Sequence, residues 1–238
     1  MPNILANIVF YSWPLVVFWM LSRYRPQRAI FIATTLALLL LPVGFSFDLP
    51  LVPPIDRISL TSLSLAVILF LTGKKFKLFP PGLPSKIIIA YLASIVISTL
   101  VNPDGILIGS RYLPGLTYYD AISETIRTIL GLMPFFLGRA FLNKVEDNEW
   151  IFKLLVVYAL FYSIPMLGEI RLSPLLHYWV YGFSVVDFFQ QMRAGGFRPT
   201  VFYGQGLGLA FWMTTCIIAA LALRKNKVRI GKIGRAHV

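Results

Sequence analysis

The sequence predicts an all-α, polytopic transmembrane helix bundle, and three observations predict it. Hydrophobic residues fill 57% of the 238 positions and charged residues only 13%, where soluble domains carry about 25% charged residues. The apolar residues fall in runs near the roughly 20-residue length that crosses a bilayer. Lysine and arginine gather in alternate loops between those runs. With a mean hydropathy of +0.74, soluble single domains, disordered chains and secreted disulfide scaffolds are excluded. The one cysteine, Cys216, excludes a disulfide framework and a cysteine-based metal cluster. A net charge of +12 in so apolar a chain reads as basic cytoplasmic loops beside a membrane, so no nucleic-acid partner is expected.

Seven apolar runs cover about 4–22, 29–47, 58–72, 87–102, 121–142, 150–168 and 206–223. The third and fourth are short and are expected to extend into their flanks. The first run has no basic segment before it. Arg23 and Arg25 follow it instead, so it reads as a span and not as a cleavable signal peptide. One set of loops carries fourteen lysines and arginines, among them Arg23, Lys74, Arg139 and Arg224, and the other set carries five: Arg57, Arg111, Arg171, Arg193 and Arg198. The basic set faces the cytoplasm, which places the N-terminus outside. A re-entrant segment in place of one weak run would invert everything after it. The outside loops are then 48–57, 103–120 and 169–205. No internal repeat supports an inverted-repeat transporter.

Residues 1–232 form one transmembrane domain. The last six, Ile233–Val238, read IGRAHV. The string ATCGGAAGAGCACACGTC translates to that peptide and resembles a common sequencing-library adapter. The expectation is a chain cut off near residue 232, an N-terminal fragment in which Arg235 and His237 carry no function.

Ionisable residues within a span are costly and mark function. The fifth run opens with Asp120, Glu124 and Arg127, which steps of four and three place on one helical stripe. Two readings stand: Arg127 is a cation aimed at an anionic substrate and held by Glu124, or the pair neutralises itself at the membrane boundary. Arg139 and Lys153 lie near cytoplasmic ends and snorkel there.

The loop 169–205 is rich in aromatic residues, including Tyr178, Trp179, Phe188 and Phe189, which suit the headgroup layer. Its stretch Leu175–Met192 reads as a helix lying in the interface. The loop continues Arg193-Ala-Gly-Gly-Phe-Arg198-Pro199. Glycines let backbone approach a ligand closely, and arginine offers a planar fork of donors to phosphate oxygens. The segment is therefore either a pyrophosphate grip at the membrane surface or a Gly-rich turn with two interfacial arginines. Gly204 and Gly208, four apart, suit close helix packing. No strand precedes Gly204-Gln205-Gly206, so it is no dinucleotide motif. His177 stands alone and no metal site is expected. Glu169 and Asp187 have no acid–base partner in sequence. No nucleophile-elbow, zinc-protease or phosphate-loop pattern occurs.

The run RAGGFRPTVFYGQGLGLAFWM, residues 193–213, resembles the loop-to-helix signature of the O-antigen ligase and O-antigen polymerase superfamily. The preceding LGRAFLNKVEDNEWIFKLLVVYALFYSIPMLGEI is also similar: Gly138-Arg139 ends a span, an acidic loop with Glu146-Asp147 follows, and the next span ends near Glu169. The resemblance covers about residues 120–223. It implies a GT-C-type membrane glycosyltransferase of the bacterial inner membrane, acting on the periplasmic face without cofactor or metal. The donor would be a glycan on undecaprenyl pyrophosphate, and the acceptor lipid A–core or another glycan. Arg193 matches the motif's pyrophosphate-holding arginine, with Gly195, Gly196 and Pro199 around it. Arg198 stands where other members often carry a different residue. Arg127 is a second cation by position, not by motif. The family's base is a histidine in a large periplasmic loop that has no counterpart here. The catalytic residue is therefore unassigned, His177 is not put in its place, and the chain alone is expected to be inactive. Two other classes remain open: a transporter or lipid flippase, which needs a polar path through several spans, and a non-enzymatic membrane subunit, which needs a stable partner.

Overall fold

The computed structural model describes residues 1–48, 52–74, 76–79, 81–185, 187–193 and 195–228, without the side chains of Phe188 and Arg193. Residues 229–238, and with them the suspected adapter peptide, lie outside the described residues. The chain is mostly helical. Helix α1 (Ile4–Arg23) begins where the Asn3 side chain accepts from the Ala6 N–H at 2.9 Å, satisfying one of the donors a helix start leaves open. Helix α2 (Pro26–Leu40) opens on proline, which has no N–H to leave unpaired. It stops at Leu41, whose backbone is extended. Pro42 follows, and the residue before a proline is kept from helical geometry. The apolar run 29–47 is thus helical only to residue 40. Helix α3 (Arg57–Leu71) is capped by Asp56, which accepts from the Ser59 N–H at 2.8 Å.

Helix α4 (Leu83–Val101) leads into an antiparallel hairpin, β1 (Ile106–Ile108) with β2 (Arg111–Leu113). Helix α5 (Tyr118–Phe141) starts with a reciprocal cap: Thr117 accepts from the Asp120 N–H while Asp120 accepts from the Thr117 N–H. Helix α6 (Val145–Leu172) outruns its apolar run at both ends. Two short helices follow, α7 (Leu176–Tyr181) and α8 (Phe188–Gln191). A small hairpin pairs β3 (Met192–Arg193) with β4 (Gly196–Phe197), and α9 (Gly206–Lys225) ends the described chain. The single interfacial helix expected over Leu175–Met192 is therefore two pieces. Gly182 breaks it at φ +80, a left-handed C-terminal stop that glycine adopts without strain.

Among the described residues five helices, α1, α4, α5, α6 and α9, are long and apolar enough to cross a membrane. Helices α2 and α3 have 15 residues each, about 22 Å at 1.5 Å per residue, short of a hydrocarbon core of about 30 Å.

The helices alternate in direction. Val17 and Met20, late in α1, pack with Ala29 and Ile30, early in α2; Leu65 and Leu69, late in α3, pack with Met133, Phe136 and Leu137, late in α5. Ala29, Ala33 and Ala37 of α2 are buried, and so small a face lets neighbouring backbones close in. A second core joins α6 to α9 through Leu155, Tyr162, Leu209, Trp212 and Cys216. Two ends result. The basic end carries Arg23, Arg25, Lys74, Lys86, Arg139, Lys144 and Lys225. The loop end carries the described residues of 41–48, 52–56, 102–117, 173–185, 187–193 and 195–205.

Candidate functional site

At the loop end, buried side chains fix the described residues between 173 and 205 onto the helices. Glu169, in the last turn of α6, is 3% exposed. Its Oε2 accepts from the N–H groups of Thr200 and Val201, both at 2.8 Å, and its Oε1 from Leu176 at 3.2 Å. The carboxylate thus ties the end of α6 to the start of α7 and to the strand of chain before α9. Val201 has φ +47, a conformation a β-branched residue adopts only under constraint. The Glu169 bond to its N–H is part of that constraint. One residue on, the Tyr162 hydroxyl accepts from the Phe202 N–H at 3.1 Å.

Arg57 closes the other side. Its Nη1 donates to the carbonyls of Leu38, Leu41 and Phe202 at 3.0, 3.2 and 2.7 Å, and its Nη2 to Tyr203 at 2.9 Å. The guanidinium also lies 6.0 Å from the Tyr203 ring centroid. The carbonyls of Leu38 and Leu41 belong to the end of α2, where the last turn of a helix leaves acceptors open and a cation is favoured. One guanidinium therefore satisfies the end of α2 and the approach to α9 together.

His177 joins the same node from α7. Its Nε2 accepts from the Val43 N–H at 3.1 Å, so its Nδ1 carries the proton and donates to the Phe183 carbonyl at 2.8 Å. Burial lowers the pKa of His177 from its ordinary value, and the Arg57 charge pushes the same way against the Phe183 bond. Burial likewise pushes the Tyr181 phenol up to about 12, which keeps it a donor to the Leu40 carbonyl. Asn3 completes the clamp by bonding Val180 and Tyr181.

On this footing the glycine-rich segment is held out at the surface. Gly195 turns the β3–β4 hairpin at φ +88, Gly196 lies over the Ile170 carbonyl, and the Arg198 N–H bonds the Gln191 carbonyl at 2.8 Å. Pro199 then restricts Arg198 to extended backbone. The Arg198 side chain lies flat across Gly206, the first residue of α9: a Cβ there would meet its Nε at 2.4 Å. Glycine at this position is what allows the approach. The first turn of α9 receives no side-chain cap, and a helix start leaves its first N–H groups without intrahelical partners. A fixed cation next to an open helix N-terminus attracts anions. Among the described residues Arg198 makes no ion pair. Gly204 and Gly208 are closely packed, but against Val43 and Tyr203, which lie in no helix, and not against a neighbouring helix as their spacing suggested. The Arg193 side chain lies outside the described residues, and only its backbone in β3 can be placed.

The stripe on α5 is arranged differently. Arg127 Nε lies 2.9 Å from Glu124 Oε2, and its Nη2 donates to Oε1 at 3.0 Å, so the pair is bidentate. Asp120 is turned back into the Thr117 cap. A cleft of about 520 Å³ opens between α4 and α5, lined by Ser94, Ser98, Asp120, Ser123 and Glu124 among others. No described contact joins Arg127 to Arg198: α5 packs on α2, α3 and α4, while the hairpin of Arg193 packs on α6. Sequence reasoning missed Arg57, which it counted only as one outside cation, and Tyr162. A lone arginine directly behind an aspartate cap, at the head of an apolar run, was the available sign for Arg57.

Fold and composition together define a multi-pass helical membrane protein. Comparison with family models, curated proteins and solved structures finds no match to the chain.

Proposed function

We propose that the chain forms part of a membrane glycosyltransferase of the O-antigen ligase and polymerase type, in the bacterial inner membrane with its N-terminus and loop end in the periplasm. Arg198 and the start of α9 receive the pyrophosphate of an undecaprenyl-linked glycan, with Arg193, the arginine the resemblance points to, as a further cation. The observation that carries this reading is Arg198 lying across Gly206 at the uncapped N-terminus of α9. The resemblance of residues 193–213 to the superfamily signature supplies the reaction.

In that reaction an acceptor hydroxyl of lipid A–core or of another glycan attacks the anomeric carbon. The bond from that carbon to the pyrophosphate oxygen breaks, and its electron pair leaves with the pyrophosphate. Negative charge grows on the leaving group. A guanidinium and backbone N–H groups already in place stabilise it without reorganisation. The acceptor proton goes to a base that none of the residues described above provides. Arg127, engaged by Glu124, is a second cation available to the lipid-linked substrate.

The test is glycan transfer in membranes of cells expressing the full-length protein. Arg193→Ala and Arg198→Ala should each abolish transfer at unchanged protein level. Undiminished transfer in both variants overturns the assignment.

A further inference from the structure

The β1–β2 hairpin stands apart from the rest of the loop end, because nothing in the described chain covers it. Ile106, Leu107 and Ile108 are 59, 70 and 61% exposed, and Tyr112 is 64% exposed. The register pairs Ile106 with Leu113, Leu107 with Tyr112 and Ile108 with Arg111. Side chains alternate between faces along a strand. Ile106, Ile108 and Leu113 therefore share one face, with Arg111 at its turn end, and Leu107 and Tyr112 share the other. Apart from Arg111 both faces are apolar, and both are open. A two-stranded hairpin has little stability of its own in water, and an apolar surface of this kind marks a contact.

The hairpin is nonetheless shaped by the chain. A Cβ on Gly115 would fall 1.8 Å from the Pro103 carbonyl oxygen, so the two legs of the loop meet there. The Leu116 N–H bonds the Asn102 carbonyl at 2.9 Å, just beyond the ends of α4 and α5. Those two helices are apolar and long enough to cross a membrane. Exposed Leu100 and Val101 at the end of α4, and Tyr118, Tyr119 and Ile122 at the start of α5, add apolar surface at the foot of the hairpin, beside exposed Asn102 and Asp104.

We propose that the β1–β2 hairpin is immersed in the interfacial layer of the bilayer, where α4 and α5 emerge at the loop end. A protein partner would cover one face and leave the other in water, whereas a lipid interface surrounds both. Depth is bounded on each side. The outer strand edges have open N–H and C=O groups that hydrocarbon cannot satisfy, so the hairpin stays out of the bilayer centre. Ser110 in the turn and Arg111 at the start of β2 reach headgroup phosphates, and Tyr112 suits the same aromatic belt.

The experiment places a probe on each face. Leu107→Cys and Ile108→Cys, made separately in a Cys216→Ala background, are labelled with an environment-sensitive fluorophore and reconstituted in phosphatidylethanolamine–phosphatidylglycerol vesicles. Should Cys216→Ala fail to purify, Cys216 is left in place, since it is 2% exposed. The expected result is blue-shifted emission at both sites, quenched more by lipid spin-labelled near the headgroup than by lipid labelled deep in the acyl chain, and little quenched by aqueous iodide. Strong iodide quenching at either site overturns the proposal. So does protection from both quenchers, which would place protein over the hairpin, or stronger quenching by the deep label.

Discussion

Arg57 and Phe202 are joined across the length of the chain: the guanidinium at the head of α3 donates to the carbonyl of Phe202 at 2.7 Å. The same side chain holds the end of α2 through Leu38 and Leu41. Arg57 is 8% exposed, so its loss leaves several carbonyls without a donor where water is scarce. Arg57→Met should destabilise the protein by roughly 2–4 kcal/mol, since each buried acceptor left unpaired costs about 1–3 kcal/mol. Thermal unfolding in detergent, followed by tryptophan fluorescence, measures it. An unchanged midpoint would mean that water replaces the guanidinium freely.

Glu169 makes the matching contribution from α6. Glu169→Gln retains one carbonyl oxygen as acceptor but loses the charge, and charge-assisted bonds to N–H groups are about twice as strong as neutral ones. Partial loosening of residues 173–205 is expected, and Glu169→Ala should loosen them further. Limited proteolysis of the reconstituted protein reads this as faster cleavage within that segment, in the order wild type, Gln, Ala. Equal rates would remove Glu169 from its anchoring role.

The His177 contact gives a pH dependence with a definite sign. Burial lowers its folded pKa below the ordinary 6.5, so the unfolded chain takes up the proton first as pH falls. Stability from this group is complete above about 6.5, the unfolded value, and is lost as pH drops towards and through the folded value. Protonation also removes the acceptor that Nε2 presents to the Val43 N–H. The unfolding midpoint should fall between pH 7 and pH 5, and a His177→Gln variant should show a flatter profile over that window. Identical slopes would contradict the assignment.

Gly204 has φ +84, and a Cβ there would approach Val43 Cγ1 to 2.4 Å. Gly204→Ala therefore combines backbone strain with a clash, a cost of roughly 1–3 kcal/mol. Adding Val43→Ala to that variant should recover part of the loss. Recovery of none would mean that the backbone angle alone sets the cost.

Much of the bundle was legible in the sequence because apolar runs and helix caps are local signals. The apolar runs located the helices, while the helix starts at Asp56, Thr117 with Asp120, and Pro26 were local signals that went unread. The early stop of α2 was legible in principle at Pro42, but the hydrophobicity of the following residues masked it. The clamp was not legible. Arg57 bonds main-chain carbonyls, which every residue has, so no pattern of side chains announces its partners. Glu169 and His177 bond main-chain groups in the same way, and for that reason both looked unpartnered. Arg198 was legible as a cation near glycines. Its position across Gly206 depends on Glu169 and Arg57 fixing the chain from Thr200 to Tyr203, a relation only the fold supplies.

The most direct test of the account is the affinity of the purified chain, in nanodiscs, for undecaprenyl pyrophosphate compared with undecaprenol. The account predicts that the pyrophosphate lipid binds the wild type preferentially. It also predicts that Arg198→Ala weakens that binding about tenfold or more, the loss of one charge-assisted contact of roughly 1.5–3 kcal/mol. Equal affinity for the two lipids, or a variant that binds as tightly as the wild type, would contradict it.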